Sequence, residues 1–372
     1  MPAKIDLAKF DTLTHAIADI DALGTGDHPP PWSGKGSPTA DMVRELIGQA
    51  SASLPVAYLE AFVRPVRQAA DHLIRSGDDP GSVELNVETL VGPIYQHSEA
   101  HPMRGPARQF LAVVSNYYRS FLSKPKREAL GLPLAVDGLP PLVMFRYLGN
   151  LGPFTHPSDI VRKLCGAGVG VVSLPQRLAK HPALWLTVAH ETTGHGILHA
   201  DPTLLPDLVI GVRSIFSGGP LSPGREPDDD QLLSILWIYW LDEVTSDVYA
   251  LLNTGPAFAY NLAAFLVGLR ENYPGLASTL RRPSSWHQLD VHPTLALRLH
   301  VAVGVVENLA GLTPEDRRRH IANLRIWPAA RTRRRNSGSR GGWRSSGIAG
   351  WRSTGGSPSR SWCGRLVGSG AS

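Results

Sequence analysis

Apolar residues recur at helical spacing along much of the chain. Ile5, Leu7, Phe10, Leu13, Ile17 and Ile20 predict a helix over 4–23. Similar spacing predicts helices at about 39–50, 54–76 and 106–123, with a mixed, turn-rich stretch at 77–105. Residues 24–38, rich in Gly and Pro, read as a loop. The β-branched run at 169–175, ending in Pro175, predicts a strand. An apolar helix should follow at 181–199. Asp228, Asp229 and Asp230 suit the first turn of a helix through 231–253, which Gly255 and Pro256 should stop. Further helices are expected near 257–271, 293–308 and 313–325. The pattern thus predicts a mainly α protein, α+β in class, with a small sheet. A helical N-terminal region (1–150) would precede a second domain (151–330).

From Arg331 the pattern stops. Residues 331–372 are Arg, Gly, Ser and Trp with almost no aliphatic periodicity, and they read as a disordered tail. Gly342–Gly347 and Gly350–Gly355 form a crude echo within it. Such a segment is either a basic interaction tail, for RNA for example, or a non-native terminus such as out-of-frame translation. It also changes the meaning of the charge. The chain carries a formal +5, and subtracting the tail's nine arginines leaves −4 on residues 1–330. The basic balance therefore gives no nucleic-acid-binding face to the fold itself.

Composition is otherwise that of a globular protein: 42% of 372 residues are hydrophobic, enough for a sizeable core. Two cysteines, Cys165 and Cys363, do not make a disulfide framework. No signal peptide is visible at the N-terminus, and no run of about 18 apolar residues suggests a membrane span. A reducing cytoplasm is the expected location.

Chemistry concentrates in two segments. His190-Glu191-Thr192-Thr193-Gly194-His195 is followed 48 residues after His195 by Glu243-Val244-Thr245-Ser246-Asp247. Two histidines and a distant glutamate can supply three zinc ligands, and Glu191 is placed to act as general base on an attacking water. The histidines are five apart, which on an ideal helix sets them about 140° apart, too divergent for one ion. A π-bulge would absorb the extra residue, and Gly194 would permit it. A rival ligand set, Glu191, His195 and His199, needs no bulge but leaves Glu243 and Asp247 unexplained. Both segments lie in apolar surroundings, where buried Glu, His and Asp need partners or a metal.

The hexapeptide resembles the HExxxH motif of the dipeptidyl peptidase III family of gluzincin-type zinc peptidases. Glu243–Asp247 is similar to the ExxxD helix of gluzincins. His292-Pro293-Thr294-Leu295-Ala296-Leu297-Arg298 resembles the HPxxxxR element of CAAX-prenyl endopeptidases and their relatives. These likenesses cover about residues 165–305. They imply a zincin-like helical core, one zinc ion per chain, and hydrolysis of a peptide or small amide. They also imply that Glu243 is the third ligand and that Asp247 accepts a hydrogen bond from His190. A strand before the motif helix is the order expected of a zincin, in which an edge strand pairs with substrate backbone.

The remaining polar residues carry lesser expectations. His292 reads either as a donor to the developing oxyanion or as a helix-start residue before Pro293. Arg298 is expected in a structural ion pair with a buried carboxylate, and His199 near the ligands or on the polar surface. Tyr239 and Tyr249 are also oxyanion candidates, although buried helix tyrosines usually belong to the core. His97 and His101, beside Glu99, have no further ligand in view. Expected overall is a zinc metallopeptidase. A hydrolase of a non-peptide amide or ester, or a non-catalytic metal-stabilised binding module, is the alternative.

Overall fold

The computed structural model describes residues 28–32, 38–50, 53–75, 80–122, 138–147, 153–182, 185–201, 203–216, 228–263 and 292–336. The helix expected at 4–23 and most of the tail lie outside them. Packing divides the chain into residues 1–329 and 330–372, and the first unit is the fold described below.

The protein is mostly helical, with one three-stranded mixed sheet. Helix α1 (Ala40–Ala50) leads to α2 (56–68), which contains a π-helical stretch at Leu59–Val63, then α3 (Ala70–Arg75). Helix α4 (Pro80–Gln96) lies where the sequence suggested turns. Two features hid it. Pro80 opens the helix, where its missing N–H costs nothing, and Pro93 is near its end. Its apolar residues Val83, Val87, Leu90, Val91 and Ile94 do fall on one buried stripe, but Gly81 and Gly92 beside the two prolines break the helical pattern in the sequence. Helix α5 (Arg104–Leu122) follows.

The sheet comprises β1 (Leu142–Arg146), β2 (Phe154–His156) and β3 (Val171–Pro175), in the order β1-β3-β2. β1 runs parallel to β3 with Leu142 opposite Val171, and β2 runs antiparallel with Thr155 opposite Val172. Leu142, Met144 and Val171 pack into the core made with α1 to α4. Val143, Phe145, Val172 and Leu174 pack on the other face with Phe110, Val114 and Trp185. A sheet covered on both faces reads as a continuous apolar run instead of an alternation. The strand expected at 169–175 is present as β3, but it is the central strand, flanked on both sides, and cannot be the substrate-pairing edge. Among the described residues, that edge is left to β1 or β2.

Helix α6 (Ser158–Cys165) connects β2 to β3 and ends on Gly166, whose φ of 79° is left-handed. After β3 comes a 3-10 turn (Gln176–Lys180), and then the motif helix α7 (187–198). Helix α8 (Leu204–Ile215) precedes α9 (Asp229–Tyr239), which starts with a capping box between Asp228 and Gln231. The single helix expected over 231–253 is in fact two, because the chain turns at Trp240 (φ −92°, ψ 2°) before α10 (Leu241–Thr254). The left-handed Gly255 (φ 69°) stops α10. Residues 256–263 form α11, followed in the described chain by α12 (Leu295–Asn308) and α13 (Pro314–Asn336). The last helix thus continues beyond Arg331, where the sequence pattern suggested the tail begins. Ala189, Ala250, Leu251, Phe258, Val303 and Val306 form the core joining α7, α10, α11 and α12. No helix of the described residues is long and apolar enough to cross a membrane.

Candidate metal centre

Residues His190–Gly196 of α7 form a π-helix. Its wider turn absorbs the extra residue between the histidines, so both rings emerge on the same side, centroids 4.9 Å apart and nearly perpendicular. The facing helix is α10. Its break from α9 at Trp240 puts Asp242 and Glu243 in a first turn, where carboxylates suit the helix dipole.

Glu243 stands between the two imidazoles. His190 Nε2 lies 3.4 Å from its Oε2, and His195 Nε2 lies 3.4 Å from its Oε1. Ligand atoms of His190, His195 and Glu243 all fall within 4.8 Å of one another, the one such group among the described residues. The rival set with Glu191 and His199 is not brought together, and neither are His97, His101 and Glu99. His97 Nδ1 instead meets the Pro93 carbonyl, and His101 Nδ1 accepts from the Met103 N–H.

The donors fit a metal ion. Tetrahedral zinc with bonds of about 2.0–2.1 Å separates its ligand atoms by roughly 3.3 Å; the two 3.4 Å separations run to different oxygens of Glu243, and one donor atom from each residue lies within 4.8 Å of the others. Glu243 Oε2 is buried without a hydrogen bond, with only the longer contacts to His190 Nε2 at 3.4 Å and Arg298 Nη2 at 3.8 Å, so it has a lone pair free for a cation.

Each imidazole is gripped from behind. His190 Nδ1 is 2.9 Å from Asp247 Oδ1. Asp247, fully buried, also accepts from Arg298 Nε at 2.7 Å and Nη2 at 2.8 Å. A carboxylate only accepts, so the Nδ1 atom carries the proton and Nε2 points to the centre. The ring of Phe258 stacks parallel to His190, 6.4 Å away. His195 has a looser counterpart in Asp242, whose Oδ1 is 3.1 Å from Nδ1 but outside hydrogen-bond geometry. Asp242 in turn accepts from His199 Nε2 at 3.2 Å, and His199 Nδ1 lies 3.4 Å from Asp159 on α6. His199 therefore buttresses a ligand's partner and does not belong to the triad.

Charge follows the geometry. Burial alone would lower the His190 pKa, but Asp247 and Glu243 outweigh it and hold the metal-free imidazole up at about 9. His195 is raised well above the ordinary value for the same reason, burial being overcome by Asp242 and Glu243. Burial would raise the carboxyl of Glu243, yet His190 and His195 hold it far below its usual range. Asp247 is lowered too, chiefly by Arg298 acting against burial.

Glu191, 7% exposed, faces β2: Thr155 Oγ1 donates to its Oε2 at 2.6 Å. His292 stands half-exposed at the rim, its Nε2 3.3 Å from Glu243 Oε1. It precedes α12, whose N-cap is Thr294.

Three neighbours escaped the sequence reading. Asp242 had a visible signal, an acidic residue directly before Glu243 in an apolar setting. Thr155 had none, since β2 is only three residues long. Arg146 ends the apolar run of β1 and is buried, its guanidinium 5.7 Å from the Phe154 ring centre. Burial lowers its pKa, and the nearby charges of Glu88 and Glu191 oppose that shift.

No family model matches the chain, and neither does any curated protein or solved structure.

Proposed function

We propose that this protein is a zinc-dependent hydrolase, most simply a metallopeptidase. The observation that carries the reading is Glu191, a buried carboxylate next to a three-donor metal centre. A structural zinc site needs no such base and is usually closed by a fourth protein ligand. His190, His195 and Glu243 would hold the ion. When bound, zinc supplies Lewis-acid activation of water and polarisation of the substrate carbonyl. Glu191 takes the proton of the attacking water and returns it to the leaving amine. Asp247 and Asp242 keep the imidazoles oriented. His292, at the rim, is a donor for the oxyanion that develops on the carbonyl. The peptide or small amide would lie along β2, an edge strand whose Thr155 touches Glu191.

The test is elemental analysis of protein purified without chelators or a His tag, followed by digestion of a peptide library. The expected result is about one zinc per chain, lost in Glu243→Ala, with cleavage lost in Glu191→Gln. Zinc without peptide cleavage would move the substrate to a non-peptide amide or ester. No metal after zinc reconstitution would overturn the reading.

A further inference from the structure

We propose that Thr155 is a positioning residue for Glu191, fixing the carboxylate of the general base from the sheet. The inference rests on the zinc-hydrolase reading and assigns a role to a strand residue in it. Thr155 is the middle residue of β2, paired opposite Val172 on β3. The alternation of a strand turns it away from the exposed Phe154 and into the protein, where it is 9% exposed. Its Oγ1 lies 2.6 Å from Glu191 Oε2 and 3.2 Å from the Glu191 carbonyl oxygen. One hydroxyl has one proton, and the shorter contact to the charged oxygen takes it. Among the described residues, no other side chain donates to the Glu191 carboxylate.

A carboxyl group on a two-carbon stem can rotate, whereas a general base must sit within hydrogen-bond reach of the proton it removes. Tying Oε2 to the strand restricts that rotation and leaves the other oxygen to meet the water. The strand is itself well anchored. Ser173 Oγ donates to the Phe154 carbonyl at 3.1 Å, and the pairing with β3 fixes the register. Val172, opposite Thr155, is fully buried. The hydroxyl is thus mounted on rigid structure, as positioning a catalytic group requires.

The experiment uses the full chain loaded with zinc and acetohydroxamic acid as probe. A hydroxamate chelates zinc and shares its hydroxyl proton with an adjacent carboxylate, so its affinity reports the base's position without a known substrate. Thr155→Val keeps the shape and removes the donor. We expect unchanged zinc content, acetohydroxamate binding weakened about tenfold, and Thr155→Ser within about twofold of wild type. In a Glu191→Gln background, Thr155→Val should have little further effect, because Thr155 acts through Glu191. A merely structural role would weaken binding equally in both backgrounds. Equal affinity of wild type and Thr155→Val, with zinc bound to both, would overturn the proposal and leave the zinc centre standing. Absence of zinc from wild type would instead remove the centre and the proposal together. Should Thr155→Val fail to fold, Thr155→Cys, with only a weak donor, takes its place with the same expectation.

Discussion

Gly194 on the π-helix lies so close to Ser246 on α10 that a Cβ built at 194 would overlap the Cα, Cβ and Oγ of Ser246. Gly194 separates the motif's Thr pair from His195, and Ser246 separates Glu243 from Asp247 by position. The two donor-bearing helices therefore touch backbone to backbone at this point. Glycine here sets the spacing of the donors.

Gly194→Ala should accordingly push α7 and α10 apart. In an ordinary helix alanine would stabilise by about 1 kcal/mol relative to glycine. Here overpacking reverses the sign, with an expected loss of about 1–3 kcal/mol. Urea unfolding of the metal-free variant reads the stability. A zinc titration should show weaker binding, since His195 moves away from Glu243. Unchanged affinity would mean that the helices can separate without disturbing the donors.

Only part of this arrangement is readable in the sequence. The periodicity that predicts α1 and α5 works because each presents a single apolar stripe. It misses α4, whose stripe is interrupted in the sequence by prolines and glycines, β1, which is buried on both faces and so does not alternate, and β2, which is too short for a period to emerge. The donors were visible because their spacing is a local property of two helices. The reason for Gly194 was not. Sequence suggests a residue that lets the helix widen, whereas the fold shows one that lets a second helix approach. Thr155 and Arg146 reach Glu191 only through the sheet, across a separation in sequence that no local pattern encodes.

Removing Asp247 should expose how much the buried network stores. Asp247 neutralises Arg298 and holds His190. In Asp247→Ala the guanidinium remains buried without its main partner, a change that typically costs about 3–5 kcal/mol. Asp247→Ala paired with Arg298→Met should recover much of that stability but not the zinc affinity, because His190 stays unbuttressed. Chemical denaturation and zinc titration of the two variants separate these effects.

Zinc uptake should expel protons. The metal-free His190, held at about 9, and His195, raised well above its ordinary value, are both charged at pH 7. A ligand imidazole must be neutral at its binding nitrogen, so binding should release about two protons at pH 7. Calorimetry in buffers of different ionisation enthalpy counts them. The raised pKa values also mean that zinc affinity falls as pH drops below about 9. A proton count near zero would show that the imidazoles are already neutral in the metal-free protein.

The sheet side gives a pH effect of its own. Burial, aided by Arg146, lowers the His156 pKa to about 4. The unfolded chain, with its histidine near 6.5, then binds more protons than the folded one between those values. His156 therefore makes stability fall as pH drops from about 6.5 to about 4 and has no effect above that window. His101, lowered to about 4 chiefly by burial, acts in the same direction. Thermal melts at pH 7 and pH 5 should show a smaller drop for His156→Gln than for wild type. An equal drop would place the effect elsewhere.

Asp242 supplies the final contrast. It sits beside Glu243 on α10 with Oδ1 3.1 Å from His195 Nδ1, outside hydrogen-bond geometry, a looser version of the Asp247–His190 hydrogen bond. Its own carboxyl is pressed well below the usual range by His195 and His199, although burial would raise it. Such a partner fixes the tautomer of a metal-binding imidazole, and its loss typically costs 10–100-fold in metal affinity. Asp242→Asn preserves shape but lets the side chain present an N–H to His195. Zinc affinity should fall about tenfold or more, with a smaller loss in His199→Gln, which acts one bond further out. Because Asp242 adjoins Glu243, the nitrogen NMR signals of His195 provide the decisive readout. In zinc-loaded wild type, Nδ1 carries the proton, and in Asp242→Asn that proton should exchange faster or move. Wild-type zinc affinity and an unaltered His195 signal in Asp242→Asn would show that the π-helix alone orients the ring.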